Sequence, residues 1–300
     1  MAKPKKSSKK PAEKKPASEK KTTKPDKAEK TTVEKKPVVT APVKQESCVK
    51  KFFAKKYDGN ESILTIFKDK KIYGALLGEI FGTMIIALVI LTLGLYQPLY
   101  TFFLLLATIV AVYKLSGANL NPINTAGMMA TRRISVIRGV LYMLAQLVGA
   151  WLGVLIVSAF AKASGPDVEL TGMTMVDATY YWVVTLTEFT GAAIVGFFFA
   201  RAQQFKKSAF TFAAVAAGGV LAATVVVYLV LYNYFGLTGT FMMNPAIALM
   251  YQILPTSADT VGELLLEIGK ALFTYVLFPM VGGVLGFYLS DVSSQLADEQ

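Results

Sequence analysis

The sequence predicts an all-α membrane protein with six transmembrane helices and two re-entrant half-helices in an inverted repeat. Three observations predict this fold class. Six apolar runs of about twenty residues occur between residues 72 and 289, and each is long enough for a helix to cross a bilayer. Two shorter apolar segments each begin at an Asn-Pro pair, and the same order of elements occurs in both halves of this region.

Charge separates a basic N-terminal part from the apolar remainder. Residues 1–71 hold 22 Lys against 9 acidic residues, whereas residues 72–300 hold 9 basic against 11 acidic residues. Residues 1–49 consist largely of Lys, Pro, Ala, Ser, Thr and Glu, a composition that cannot bury enough apolar surface to fold. We therefore predict a disordered cytoplasmic tail over residues 1–49. A solvated tail and a tether to anionic lipid both fit this composition, and we expect no nucleic-acid partner.

Residues 50–71 lead from this tail to the first span. Their apolar side chains, which include Phe52, Phe53, Ile66 and Phe67, are interspersed with Lys, so we predict an interfacial juxtamembrane segment. The membrane domain is predicted over residues 72–290. Residues 291–300 are predicted to form a short cytoplasmic C-terminus.

The predicted spans cover approximately residues 72–96, 98–114, 139–161, 179–200, 209–232 and 265–289. Six spans place both termini on one side of the membrane. The connections after the second and fourth spans carry only basic charges: Arg132, Arg133, Arg138, Arg201, Lys206 and Lys207. The connection after the third span is acidic on balance, with Asp167, Glu169 and Asp177 against Lys162. Because basic connections lie in the cytoplasm, we expect both termini inside, in a multi-pass plasma-membrane protein.

Two apolar segments that are too short to span begin at Asn121-Pro122 and at Asn244-Pro245. Asn is a favoured N-cap residue, and Pro suits the first helical position, where its missing N–H costs nothing. The first segment runs for 11 residues before a pair of Arg residues, and the second runs for 11 residues before another Pro. A helix of that length is about 16 Å long, half of the apolar thickness, so we predict two half-spanning helices.

Each half also contains a Glu inside its first span, Glu79 in the first half and Glu188 in the second. A span with Glu, a second span, an Asn-Pro half-helix and a third span therefore form one repeat, which occurs twice. Three spans per repeat is an odd number, so the repeats have opposite orientations and the half-helices meet N-terminus to N-terminus near the midplane. We predict that both carboxylates accept backbone N–H bonds from the loops before the half-helices. Proton coupling by these carboxylates is the alternative.

Facing half-helix N-termini define the chemistry of the pathway between them. Their partial positive charges oppose cations and protons and leave neutral molecules unaffected. The side-chain amides of Asn121 and Asn244 can donate N–H bonds to an oxygen of a passing solute. The arrangement therefore predicts a pore for small neutral solutes that excludes ions and protons.

Residue types that are missing from the sequence exclude several other chemistries. The chain contains no His and a single Cys, Cys48. Imidazole catalysis, His-ligated metals and an intrachain disulfide are therefore ruled out. We expect no enzyme activity, no metal site and no cofactor.

Two motifs resemble those of a known family: Ser-Gly-Ala-Asn-Leu-Asn-Pro at residues 116–122 and Gly-Thr-Phe-Met-Met-Asn-Pro-Ala at residues 239–246. Together with the two Glu-bearing spans, they resemble the major intrinsic proteins, the aquaporins and glycerol facilitators, over about residues 73–290. The resemblance implies an aquaporin-like fold, a homotetramer in the lipid bilayer with one pore per subunit, and passive conduction. It also implies that Asn121 and Asn244 bind the solute.

The sequence departs from the family's usual pattern near the pore. Ile123 stands where the first motif usually has Ala, and Asn119 stands where a His is usual. Ile247 stands where the selectivity filter usually has an Arg, and the other filter positions fall at Thr101 and Leu231. Loss of the guanidinium removes a positive charge and several donors, which predicts a wider and less polar constriction.

We therefore predict a channel for glycerol or similar polyols, with water as a further candidate solute. The glycerol branch usually has an Asp where this chain has Ala248, so the subfamily stays open. A strict water channel of the same family and a proton-coupled secondary transporter are the alternatives. A pore of this fold that conducts ions or almost nothing is a third.

Overall fold

Almost all of the residues that the structure describes are helical. The computed structural model describes residues 61–93, 98–165, 178–237, 241–251 and 260–298. These residues form ten α-helices, two short 3-10 helices and one π-helix, and no strand occurs among them. The predicted tail over residues 1–49 lies outside the described residues, and so does the predicted juxtamembrane segment up to residue 60.

The helices follow one another along the chain with short connections. In order they are α1 (Ile63–Lys68), α2 (Lys71–Leu93), α3 (Pro98–Ser116), α4 (Pro122–Ala130), α5 (Val136–Ser164), α6 (Tyr181–Ala202), α7 (Ala209–Phe235), α8 (Pro245–Tyr251), α9 (Val261–Leu272) and α10 (Phe278–Asp298). Six segments are long and apolar enough to cross a membrane: α2, α3, α5, α6, α7 and the run from α9 through α10. The six predicted spans are confirmed.

The helices α4 and α8 are the two short Asn-Pro helices. The first has 9 residues, which is about 14 Å, and it ends at Ala130 with Thr131 as its C-cap residue. The second has 7 residues and ends at Tyr251. Its predicted end near residue 254 lies outside the described residues.

The sixth span contains an irregular turn. Residues Phe273–Leu277 form a π-helix, in which the N–H of Phe278 donates to the carbonyl of Phe273. Pro279 follows directly, and proline has no N–H to donate to the carbonyl four residues earlier. The wider turn accommodates this proline inside a helical run from residue 261 to 298, which extends beyond the predicted span of 265–289 at both ends.

The helix pairs are the same in the two halves. In the first half α2 packs against α3 and α5, and in the second half α6 packs against α7 and α10. Contacts between α3 and α7 join the halves, and each half-helix packs against a span of the opposite half, α4 against α10 and α8 against α5. The core of the membrane domain therefore lies where the two repeats meet.

Two glycines at matching places allow close helix contacts within the two halves. A Cβ on Gly149 of α5 would lie 2.2 Å from the carbonyl oxygen of Ile80, the residue after Glu79. A Cβ on Gly282 of α10 would lie 2.3 Å from the carbonyl oxygen of Phe189, which follows Glu188. Small residues let helices approach this closely in a membrane, where packing contributes much of the association energy. Each Glu is thus held beside a tight helix crossing.

The short helix α1 is attached to the start of α5. Arg138 Nη2 donates to Glu61 Oε1 at 2.7 Å, and Ser135 Oγ donates to Glu61 Oε2 at 2.5 Å. Ile66 of α1 is buried in a small cluster with Ile72. The described part of the predicted juxtamembrane segment therefore packs against the protein.

The C-terminal end of α4 is joined to α10. Arg133, just after the half-helix, donates from Nη2 to Asp291 Oδ1 at 2.6 Å, and its guanidinium lies 5.0 Å from the centroid of the Phe287 ring. Burial lowers the pKa of the Arg133 guanidinium from its ordinary value, and the charge of Asp291 acts in the opposite direction. These contacts hold the first half-helix against the last span of the second half.

Candidate functional site

Both half-helices begin at the predicted Asn residues. Asn121 is the N-cap of α4, and its Oδ1 accepts the N–H of Ile123 at 2.9 Å. Asn244 stands in the same place before α8, and its Oδ1 accepts the N–H of Ala246 at 3.1 Å. A Pro follows the Asn at the start of each helix. The side-chain oxygen of each Asn is therefore used to start a helix, as expected for an N-cap.

The two Asn side chains also bond across the repeat boundary. Asn121 Nδ2 donates to the carbonyl oxygen of Met243 at 2.8 Å, and Asn244 Nδ2 donates to the carbonyl oxygen of Leu120 at 3.3 Å. Each amide nitrogen carries two hydrogens and uses one of them in this contact. One N–H of each Asn is left for another acceptor.

The carbonyls that receive these bonds come from residues in an unusual backbone conformation. Leu120 has a φ of 53° and Met243 has a φ of 48°. For residues other than Gly the left-handed region costs about 1–3 kcal/mol and persists only where surrounding contacts impose it. A residue with this strained backbone lies directly before the Asn in both halves. Each half therefore needs contacts that stabilise its own loop.

The predicted Glu residues supply contacts that stabilise these loops. Glu79 accepts the N–H of Asn119 at 3.0 Å on Oε1 and the N–H of Leu120 at 2.7 Å on Oε2. Glu188 accepts the N–H of Met242 on Oε1 and the N–H of Met243 at 3.0 Å on Oε2. Both carboxylates are fully buried. In each half, the Glu therefore holds the two residues directly before the Asn.

A glutamine adds a further bond in the first half. Gln146 of α5 is fully buried, and its Nε2 donates to Glu79 Oε2 at 2.7 Å and to Thr125 Oγ1 at 2.9 Å. Gln146 lies three residues before Gly149, and the residue three before Gly282 in the second half is Pro279. The glutamine that connects span, Glu and half-helix in the first half is therefore replaced by a proline at the matching place in the second.

A cavity lies where the two half-helices meet. The centres of water molecules can occupy about 50 Å³ of it. Its polar lining comes from Thr101, Asn119, Asn121, Asn124 and Asn244. The remaining lining is apolar and includes Ile86, Ile109, Val195, Phe199 and Val220. One cavity thus combines an apolar wall with several amide groups.

The predicted filter residues are placed differently from one another. Thr101 lines the cavity, but Leu231 and Ile247 are absent from the lining that the described residues define. Both are fully buried in the hydrophobic core. Burial of an apolar side chain is favourable, whereas an Arg in place of Ile247 would need a polar surrounding for its guanidinium. A filter made by these three residues stays a prediction.

The electrostatics of the cavity come from backbone dipoles. Within the described residues no charged side chain lines the cavity, and no group of three or more His, Cys, Asp or Glu side chains could hold a metal ion. The N-terminal ends of α4 and α8 place partial positive charge at its centre. The site can therefore donate hydrogen bonds to a neutral solute and disfavours a cation.

Sequence reasoning did not single out Gln146 and Asn124. Gln146 lies in the middle of α5, between Ala145 and Leu147, and Asn124 follows Ile123 in α4, so a polar residue at membrane depth was the available signal. A polar side chain at membrane depth needs a partner or a wet cavity, so such residues mark candidate sites even without a motif.

Comparison with known proteins adds a family and a fold. The family model described as Major intrinsic protein matches residues 66–290. The solved structure described as the aquaglyceroporin from Plasmodium falciparum aligns with a TM-score of 0.58 at 16% identity, and the alignment covers 76% of this chain and 100% of that one. This likeness shows the fold, so the predicted all-α, aquaporin-like fold class is confirmed.

A curated sequence relative matches a short stretch only. The Arabidopsis thaliana protein described as "Probable aquaporin PIP2-5" is 43% identical over 49 residues, which are 16% of this chain. The matched stretch spans 17% of that relative's length.

Proposed function

We propose that this chain, which belongs to the major intrinsic protein family, is a passive transmembrane channel for small neutral solutes. Glycerol and similar polyols are the solutes proposed first, and water is the second. The observation that carries the proposal is the reciprocal contact of Asn121 and Asn244. It leaves one amide hydrogen on each side chain, at the wall of the cavity, for the oxygen of a solute.

Exclusion of ions and protons follows from the same geometry. A cation at the centre of the pore meets the positive ends of two helix dipoles and finds no charged side chain in the described lining. A chain of waters meets two fixed amide donors at that point, so the central water accepts from both. A pore of this kind passes neutral molecules and opposes charge.

Preference for polyols follows from the mixture of groups in the cavity. Glycerol carries hydroxyl groups along a carbon chain, and the cavity carries amides beside an apolar wall of Ile, Val and Phe. Pockets that are mostly apolar, with a few placed polar groups, orient ligands of this kind. The family resemblance places Ile247 where the filter usually has an Arg, and an apolar side chain at that position lacks the charge and the donors of a guanidinium, which also favours a carbon-containing solute.

The contacts of the Glu79 and Glu188 carboxylates support proton-coupled transport less than passive conduction. Both oxygens of Glu79 and both oxygens of Glu188 accept backbone N–H bonds from the loops. A carboxylate that protonates in each cycle would have to release these donors in each cycle. We therefore propose that Glu79 and Glu188 anchor the loops and that conduction is passive.

Assembly and location complete the proposal. We propose a homotetramer in the plasma membrane, with both termini in the cytoplasm. Large apolar side chains such as Trp151, Trp182 and Phe210 are at least half exposed on the spans, which suits contact with lipid or with other copies. We further propose that the Lys-rich tail binds anionic lipid; its residues lie outside the described part of the chain.

Flux through liposomes tests the function. Purified protein is reconstituted, and stopped-flow light scattering records shrinkage and re-swelling in gradients of glycerol, urea and sucrose, the last reporting water. We expect faster glycerol and water movement than in empty liposomes, with a low activation energy, and no accumulation against a gradient.

Each alternative gives a distinct result in this assay. Water movement without glycerol movement identifies a strict water channel. Accumulation of solute driven by a pH gradient identifies a coupled transporter. Rates equal to those of empty liposomes for all solutes would contradict the proposal of a conducting pore.

A further inference from the structure

Two asparagines on the cavity wall take no part in the contact between Asn121 and Asn244. Asn119 lies two residues before Asn121, the N-cap of the first half-helix, and Asn124 lies in the first turn of that helix. Their exposed fractions are 2% and 7%, and both line the cavity. They are therefore buried amides at the edge of the space through which a solute would pass.

The hydrogen bonds of Asn124 define how its amide is oriented. Its Nδ2 donates to the carbonyl oxygen of Asn119 at 2.9 Å. Turning the amide by half a rotation would bring two acceptor oxygens together, so the assignment of Nδ2 and Oδ1 follows from chemistry. Oδ1 of Asn124 is thus the atom without a hydrogen-bond partner among the described residues.

Neither side-chain oxygen has a donor within the protein. Among the residues that the structure describes, no N–H or O–H group reaches Asn119 Oδ1 or Asn124 Oδ1. Buried polar atoms are almost always hydrogen-bonded, because an unmet acceptor loses its interaction with water and gains nothing in return. Two such oxygens beside one cavity point to a hydrogen-bond donor that the protein itself does not supply.

These acceptors complement the amides of the half-helix starts. Asn121 and Asn244 use their oxygens within the protein and offer N–H groups. Asn119 and Asn124 offer oxygens. A molecule that both accepts and donates, such as a hydroxyl compound, can bond to both sets at once.

We propose that Asn119 and Asn124 form a second hydrogen-bonding site for the solute, next to the Asn121 and Asn244 pair. The site takes O–H or N–H donors of small solutes with at least two such groups, which are polyols and urea-like amides. The proposal rests on the proposed function as a neutral-solute channel and deepens it. It makes Asn119 and Asn124 determinants of selectivity between such solutes and water.

Substitution by an apolar residue of similar size separates this role from packing. In both Asn119→Leu and Asn124→Leu the wall keeps its approximate volume and loses an acceptor. Asn124→Leu also removes the bond from Nδ2 to the carbonyl of Asn119, so Asn119→Leu is the cleaner of the two variants. Loss of one solute hydrogen bond predicts a glycerol permeability about fivefold lower, with water permeability changed less than about twofold. The control is Leu147→Met on α5, a residue absent from the lining that the described residues define, and it should leave the glycerol-to-water ratio unchanged. Urea flux, measured in parallel, reports whether an N–H donor uses the site as well.

A high-resolution structure of the wild-type protein in glycerol gives a readout that does not depend on the variants folding. We expect a glycerol hydroxyl within about 3 Å of Oδ1 of Asn119 or Asn124. Only water at both oxygens, or an unchanged glycerol-to-water ratio in both folded variants, overturns the site. If the wild-type protein passes no glycerol, the polyol function fails, and the density at the two oxygens then decides the site by itself.

Discussion

The two halves of the molecule hold their half-helices with the same backbone contacts but surround them with different side chains. In each half, a buried Glu accepts the N–H groups of the two residues before the Asn. The first half adds Gln146 to this contact and places Asn119 and Asn124 on the cavity wall. The second half places Met242 and Met243 there instead. The anchoring is shared, and the polar side chains are concentrated in the first half.

This difference distinguishes the residues that hold the half-helices in place from the residues that select the solute. Each half contains a residue with positive φ directly before its Asn, so each half needs a carboxylate to stabilise the loop. The amide oxygens that lack a donor among the described residues and line the cavity, those of Asn119 and Asn124, lie in the first half. We therefore expect substitutions of the anchors to damage both halves and substitutions of the other polar groups to matter in one.

Removal of an anchor has the largest expected effect. Glu79→Leu and Glu188→Leu each leave two buried backbone N–H groups without an acceptor, which costs about 2–6 kcal/mol of folding free energy. The loss should be greater for Glu79→Leu, because Gln146 also donates to that carboxylate. Thermal unfolding in detergent, followed by size-exclusion chromatography, measures the difference.

The matched controls for the anchors are Glu79→Gln and Glu188→Gln, which keep one side-chain oxygen and should lose less than the Leu variants. A larger loss of stability in Glu188→Leu than in Glu79→Leu would contradict the stronger anchoring of the first half.

Removal of the glutamine has the next largest expected effect and tests the asymmetry directly. Gln146→Leu deletes a hydrogen bond to a charged group, worth about 1.5–3 kcal/mol, and leaves Thr125 Oγ1 without that donor. The same unfolding assay measures it. Leu147→Met, the neighbouring residue on α5, is the control and should stay close to wild type. A variant as stable as wild type would contradict a contribution of Gln146 to the anchoring of the first half.

An introduced arginine has a smaller expected effect, and it acts on selectivity in the second half. Ile247→Arg should lower the glycerol-to-water flux ratio by roughly tenfold, because a guanidinium narrows the constriction and makes it more polar. Ile247→Met, of similar length and without charge, is the control. Glycerol and water fluxes, measured in parallel in liposomes for both variants and the wild-type protein, give this ratio. An unchanged ratio in a folded Ile247→Arg protein would remove Ile247 from the filter.

The parts of the fold that depend on local signals were predictable. The start of each half-helix follows from an Asn-Pro pair, since the cap and the first helical position are properties of adjacent residues. The six spans follow from the length of their apolar runs. The end of α4 at Ala130 also follows, because Thr131 precedes two Arg residues that lie outside the apolar segment.

The details that depend on distant contacts were not predictable in the same way. The π-helix before Pro279 arises from how the sixth span accommodates a proline, and the sequence marks only the proline. Gln146 lies 67 residues from Glu79, and no local pattern pairs them. Of the predicted filter residues, only Thr101 lines the cavity that the described residues define, because the burial of Leu231 and Ile247 depends on how several helices pack.

The sequence by itself determined that the chain crosses a membrane six times, that two half-helices start at Asn121 and Asn244, and that each half carries a Glu inside its first span. These properties follow from composition and from neighbours along the chain. Only the tertiary structure decided which carbonyl each Asn amide meets and which amides line the cavity. Asn121 and Met243 are 122 residues apart, and their hydrogen bond depends on the helix contacts between the repeats, α3 against α7, α4 against α10 and α8 against α5.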